Sequence, residues 1–125
     1  MRVERLRPTV LRVTMHAHEL AALAFATAAR RAGLRVIYLG PDVPLESWLA
    51  AVRDTSAAAV ALGAAMPSDA DAAAAVFSSL QEHEPGILRA VGGRHADAVT
   101  GSGHVVLPPH LSDAVTTLRE ALGAA

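Results

Sequence analysis

The stretch Arg35-Val36-Ile37-Tyr38-Leu39-Gly40-Pro41-Asp42-Val43-Pro44 holds a strand, a turn and the start of a helix in consecutive residues. Arg35 to Leu39 is a β-branched and aromatic run, the composition of a strand. Gly40-Pro41-Asp42 closes it with turn chemistry. Pro44 suits a helix start, where its missing N–H leaves no bond unmade. Leu45, Trp48, Leu49 and Val52 then follow at i, i+3, i+4 and i+7, so one face of that helix is apolar.

Working outward, the same unit recurs on both sides. Upstream, Val10 to Val13 favours strand, and the Ala/Leu-rich stretch Glu19 to Ala32 favours helix, with Gly33 as its C-cap. Downstream, Ala57 to Leu62 reads as a buried strand, although its alanines also suit a helix, and Gly63 to Pro67 as a loop. Ser68 is placed to N-cap a helix reaching Glu84, with Asp69 and Asp71 in its positive first turn. Pro85-Gly86 stops that helix. Ile87 to Val91 forms a fourth strand ending in Gly92-Gly93, and Arg94 to Val99 a short helix or turn. His104 to Leu107 forms a fifth strand, and Leu111 to Leu122 a last helix. Alternating strands and helices predict a flavodoxin-like α/β fold: a five-stranded parallel sheet flanked by helices, forming one domain over residues 1–125. Parallel strands send every strand-to-helix loop to one edge, where ligands bind. The candidate site is therefore His16 to Ala21, Gly40 to Val43, Gly63 to Pro67, Gly92 to His95 and Leu107 to His110.

Composition narrows the functions open to such a domain. The 125 residues include 28 Ala, no Lys and no Cys, with 11 Arg against 12 acidic residues. Without Cys, disulfides and thiolate metal or redox sites are excluded. A formal charge of −1 argues against sequence-independent nucleic-acid binding. No apolar run reaches the ~18 residues of a membrane span, and Met1 to Pro8 lacks a signal-peptide core, so a cytoplasmic protein is expected. There is no Gly-x-Ser-x-Gly elbow and no Walker-type phosphate loop with its Lys. Tyr38 lies within a strand, Trp48 reads as a packing residue, and Arg2, Arg5, Arg7 and Arg12 as a solvated basic edge.

The groups left at the loop edge are histidines and glycines. His16 and His18 flank Ala17 at the end of the first strand, and neutral imidazole suits Zn²⁺, Cu, Ni or the cobalt of a corrinoid. His95 and His110 stand on other loops of that edge, so a His-rich zinc site is one alternative and plain solvation of the rings another. Gly63, Gly92 and Gly93 follow strands, where a missing Cβ permits close backbone approach by a ligand or simply a turn.

Taken together these spacings resemble the cobalamin-binding domain found in methionine synthase, methylmalonyl-CoA mutase and light-responsive MerR-type regulators. The family pattern is Asp-x-His-x-x-Gly after strand one, Ser-x-Leu after strand three and Gly-Gly after strand four. His18 falls at the family's histidine, Gly92-Gly93 at its glycine pair, and Tyr38 to Pro44 looks very like its segment after strand two. The resemblance runs from about Pro8 to Leu122. It implies cobalamin as cofactor, as adenosylcobalamin or methylcobalamin, with His18 as the lower ligand of the cobalt. It also implies a cofactor edge of His16, His18, Glu19, Leu20, Ala21, Leu62, Gly63, Ala65, Gly92, Gly93 and Arg94.

This chain departs from the pattern at four positions. His16 replaces the Asp that orients the histidine, and adds no negative charge. Ala21 replaces Gly and narrows the channel by a methyl. Gly63 and Ala65 replace Ser and Leu, which removes a hydroxyl partner for the nucleotide tail and widens its pocket. His16 and the wording of Tyr38 to Pro44 sit closest to the regulator branch. Neither a catalytic barrel nor a DNA-binding domain fits in 125 residues. The expectation is thus a stand-alone sensory or regulatory module rather than an enzyme, light-responsive through an alkyl–cobalt bond, acting on a protein partner or by self-association. The alternatives are a small corrinoid subunit of a mutase or methyltransferase, and a degenerate interaction domain that binds no corrinoid.

Overall fold

A computed structural model describes residues 9–14, 19–38 and 44–124. The elements alternate as expected: β1 (Thr9–Thr14), α1 (Glu19–Arg31), β2 (Arg35–Tyr38), α2 (Leu45–Thr55), β3 (Ala59–Gly63), α3 (Pro67–His83), β4 (Leu88–Gly92), a 3₁₀ turn (Ala96–Ala98), β5 (Val105–Val106) and α4 (Leu111–Ala124). The strands form one parallel sheet in the order β2-β1-β3-β4-β5. This is the flavodoxin-like arrangement, and its order reverses direction between β1 and β3, the switch point at which folds of this class bind ligands at the strands' C-terminal ends.

Side-chain alternation along the strands divides the core into two layers. Val60, Leu62 and Val91 pack with Trp48, Val52, Phe77 and Leu80 of α2 and α3. Ala59, Ala61 and Ala90 face the other way, into a layer with Phe25, Ala26 and Ala29 of α1 and Ala114, Val115 and Leu118 of α4. The first layer takes the bulky residues and the second most of the buried alanines, so α1 and α4 lie close to the sheet. Trp48 is wholly buried, as its helical spacing predicts, although its Nε1 has no hydrogen-bond partner among the described residues.

The helix ends follow from local chemistry. Gly33, at φ +95°, closes α1: Leu34 N–H donates to Ala29 O and Gly33 N–H to Arg30 O, a Schellman motif. Ser56 closes α2 with the same backbone pattern but as a non-glycine residue at φ 53°. The start of α3 differs from the expectation. Ser68 is not its N-cap, because the helix already begins at Pro67, whose fixed φ suits the first helical position. Capping falls instead to Asp69, two residues into the helix. The segment Arg94 to Val99 contracts to the 3₁₀ turn, and the fifth strand to two residues, with Leu107 N–H still donating to Val91 O. Beyond α3, the buried Arg89 of β4 reaches the carbonyl oxygens of Phe77 and Ser102, both at 3.4 Å, and ties the β4–β5 connection to the helix.

Candidate functional site

Register decides which of the expected residues meet. Gly63 pairs with Gly92, Ala61 with Ala90 and Ala59 with Leu88 across β3 and β4, and Thr14 of β1 pairs with Gly63 on its other side. Positions 59, 61 and 63 share one face of the sheet, as do 88, 90 and 92, and that face is the α1/α4 side. Toward the C-terminal edge the sheet therefore carries Ala61 and Ala90, then two glycines side by side. The result is a strip of small residues: Ala61 and Ala90 are buried beneath α1 and α4, and only the two glycines at its end are partly exposed. β1 ends beside this strip, so the chain enters residues 15–18 at the same edge. His16 and His18 themselves lie outside the described residues, as do Leu39 to Val43.

The two adjacent glycines serve different ends. A Cβ on Gly93 would fall 2.7 Å from the carbonyl oxygen of Ala64, and its φ is +106°, so no other residue fits without moving backbone. A Cβ on Gly92 would meet, among the described residues, the side chain of Leu107 at 3.6 Å, an ordinary contact. The fold thus requires glycine at 93 for its own packing, whereas at 92 it has room for a methyl. Close approach of Gly93 lets the loops after β3 and β4 lace together: Ala64 N–H donates to Gly92 O and His95 N–H to Ala64 O, both at 2.8 Å.

Asp69 holds the next stretch of the same loop. Its Oδ2 accepts hydrogen bonds from Ala65 N–H at 3.0 Å and Met66 N–H at 2.8 Å, and the residue is only 1% exposed. Sequence reading placed Asp69 in the positive first turn of α3 but missed this role. The available signal was an acid at the third helical position, from which a carboxylate reaches back over the helix start.

Of the other expected residues, Glu19, Leu20 and Ala21 form the first turn of α1. Leu62 is 1% exposed and its side chain belongs to the α2/α3 core layer, so its side chain is committed to packing. Ala65 is partly buried in the loop, and Arg94 is exposed after Gly93. His95 is partly buried and His110 is exposed just before α4. Among the described residues, no group of three or more His, Asp or Glu is arranged to hold a metal ion. His104 precedes β5, at the opposite end of the strand from the loop edge, and stacks on Phe77 at 5.4 Å. Around the loop edge Leu45, Met66, Val106 and Leu111 expose apolar side chains.

A parallel α/β domain whose strand order reverses between β1 and β3 belongs to the doubly wound class, in which ligands bind at that switch point. The B12 binding domain family matches residues 6–102, and the chain belongs to that family. No curated protein matches the chain. Among solved structures it is similar to a cobalamin-binding protein from Desulfitobacterium hafniense DCB-2, with 20% identity, a TM-score of 0.78, and coverage of 91% of this chain and 58% of that one. It is also similar to the methanol:cobalamin methyltransferase complex from Methanosarcina barkeri, with 25% identity, a TM-score of 0.78, and coverage of 94% and 47%. A third is the monomethylamine corrinoid protein of Methanosarcina barkeri, with 14% identity, a TM-score of 0.80, and coverage of 91% and 57%. The chain thus spans about half the length of these structures. Its cofactor class is a corrinoid, and the partly exposed Gly63 and Gly92 permit close backbone approach by such a ligand. Among the described residues, no helix is long and apolar enough to cross a membrane.

Proposed function

We propose that this chain is a cobalamin-binding sensory or regulatory module in which His18 is the lower ligand of the cobalt. The observation that carries the reading is the paired Gly63 and Gly92 on the alanine-lined α1/α4 face, directly beside the end of β1. On this reading the glycine end of that face receives the nucleotide tail, and His18 holds the cobalt. When bound, the cofactor supplies a cobalt–carbon bond whose breakage is its own chemistry, and the protein's part is position and electrostatics. Glu19 to Ala21 at the start of α1 and Arg94 after β4 complete the rim. An alkyl–cobalt bond at this rim makes the module responsive to light, with adenosylcobalamin or methylcobalamin as the bound form. The exposed apolar side chains at the same edge support a protein partner or a second copy as the receiver of the signal.

The test is absorbance spectroscopy of purified protein incubated with adenosyl- or methylcobalamin, in the dark and after illumination. We expect a red complex that survives desalting, a His18→Ala variant with a displaced spectrum and weaker retention, and a dark spectrum that changes with light. No uptake of either cobalamin overturns the reading.

The 25% identity to a chain of the methanol:cobalamin methyltransferase complex favours a second reading, a corrinoid-carrying subunit of a methyltransferase. Methyl transfer from the loaded protein to a thiol acceptor, on mixing with a partner barrel, separates this from the sensor.

A further inference from the structure

We infer that Asp69 is a positioning residue for the cofactor edge: one buried carboxylate oxygen fixes the path of Ala65 and Met66 and so shapes the pocket for the nucleotide tail. The inference rests on the cobalamin reading above and names a residue that the family pattern does not include. Three successive amides leave β3 at this edge. That of Ala64 is held by Gly92 O, a strand neighbour, at 2.8 Å. Those of Ala65 and Met66 are both held by Oδ2 of Asp69, at 3.0 and 2.8 Å. Beyond Ala64, then, the loop is anchored by a side chain rather than by the sheet.

The carboxylate is suited to this work. It stands at the third position of α3, inside the positive end of the helix, where a negative charge is favoured. Hydrogen bonds to an ionised acceptor are stronger than neutral ones, and a buried charge persists only when so satisfied. Gly63 and Ala65, where the family pattern has Ser and Leu, contribute no polar side chain. With no hydroxyl and no large side chain to define the wall, the backbone course of residues 63–66 defines it, and Asp69 fixes that course.

Two measurements on Asp69→Asn and Asp69→Ala test this. In amide hydrogen exchange on the free protein, Ala65 and Met66 should exchange about tenfold faster in Asp69→Asn, which keeps an acceptor but loses the charge, and faster still in Asp69→Ala. Val60 and Val91, on the sheet, should exchange as in the wild type. In binding, affinity for cobalamin should fall about tenfold while affinity for cobinamide, a corrinoid without the nucleotide tail, stays within about twofold. Unchanged exchange at Ala65 and Met66 overturns the inference. So does equal weakening of both corrinoids together with faster exchange across the sheet, which marks a general loss of stability. If Asp69→Ala does not fold, Asp69→Asn decides. A wild-type chain that takes up neither corrinoid overturns the cofactor reading and the tail-pocket claim, while exchange at Ala65 and Met66 still decides whether Asp69 sets the loop.

Discussion

Gly92 and Gly93 are neighbours with opposite tolerances, and the difference separates folding from binding. At Gly93 a methyl would overlap the Ala64 carbonyl in a left-handed conformation. Gly93→Ala should cost at least about 2 kcal/mol in denaturant unfolding, from strained backbone and a displaced loop together. At Gly92 a methyl finds ordinary contact distance to Leu107, and the chain loses less entropy on folding. Gly92→Ala should therefore leave stability unchanged or raise it by up to about 1 kcal/mol. On the proposed binding face it should nonetheless weaken cobalamin retention, read by desalting and absorbance. Loss of stability in Gly92→Ala comparable to that in Gly93→Ala would contradict this division. From sequence alone the two glycines look alike, because the Ala64 carbonyl that distinguishes them comes from another strand's loop.

At the scale of elements, the helix ends show how much local chemistry decides. Gly33 as the cap of α1 was legible because the Schellman motif needs only a left-handed residue at a fixed offset from the helix. The end of α2 uses Ser56 in that conformation, at φ 53° and ψ 43°. A non-glycine residue there costs about 1–2 kcal/mol, partly offset by the extra chain entropy that glycine loses on folding. Ser56→Gly should then stabilise the domain by about 0.5–1 kcal/mol, seen as a raised denaturation midpoint with an unchanged slope. Nearby, Arg53 donates to Glu84 at 2.7 Å, linking the end of α2 to the end of α3, yet this pair is solvent-accessible and adds at most about 1 kcal/mol. The strands were legible to within two residues at either end, because β-branched runs and turn residues bound them. β3 was less sharply defined: Ala57 to Leu62 reads as a buried strand whose alanines also suit a helix, and pairing with β1 and β4 on both sides settles it as Ala59–Gly63. The start of α3 was misplaced because Pro67 and Asp69 together outweigh the serine between them.

For the whole molecule, the division of the core into a bulky and an alanine-rich layer links stability to ligand. The α2/α3 layer holds Trp48, Phe77, Leu80 and Leu62, whereas the α1/α4 layer depends on close packing of small residues over the sheet. A ligand that seats against that second layer adds contacts the free domain lacks. At a hundredfold excess over its dissociation constant, cobalamin should stabilise the fold by about 2.7 kcal/mol. For a chain of this size that corresponds to a rise in melting temperature of about 10 °C, measured by circular dichroism with and without cofactor. Binding with no thermal shift would mean that the unfolded chain takes up the cofactor as well. The candidate edge itself was legible in outline, since topology alone assigns strand ends to one side. The strip of small residues was not, because it needs the register of β3 against β4.

The contact between Gly93 and Ala64 also bears on how ancestry and use can be told apart in related chains. A copy of this domain that no longer carries a corrinoid still has to close its loops, so selection for folding alone will keep the second glycine. The first is free to drift once nothing lies against it. If Gly92 lines the cofactor as proposed, position 92, rather than the glycine pair as a motif, is the place to look when sorting descendants that still carry the cofactor from those that have kept only its container.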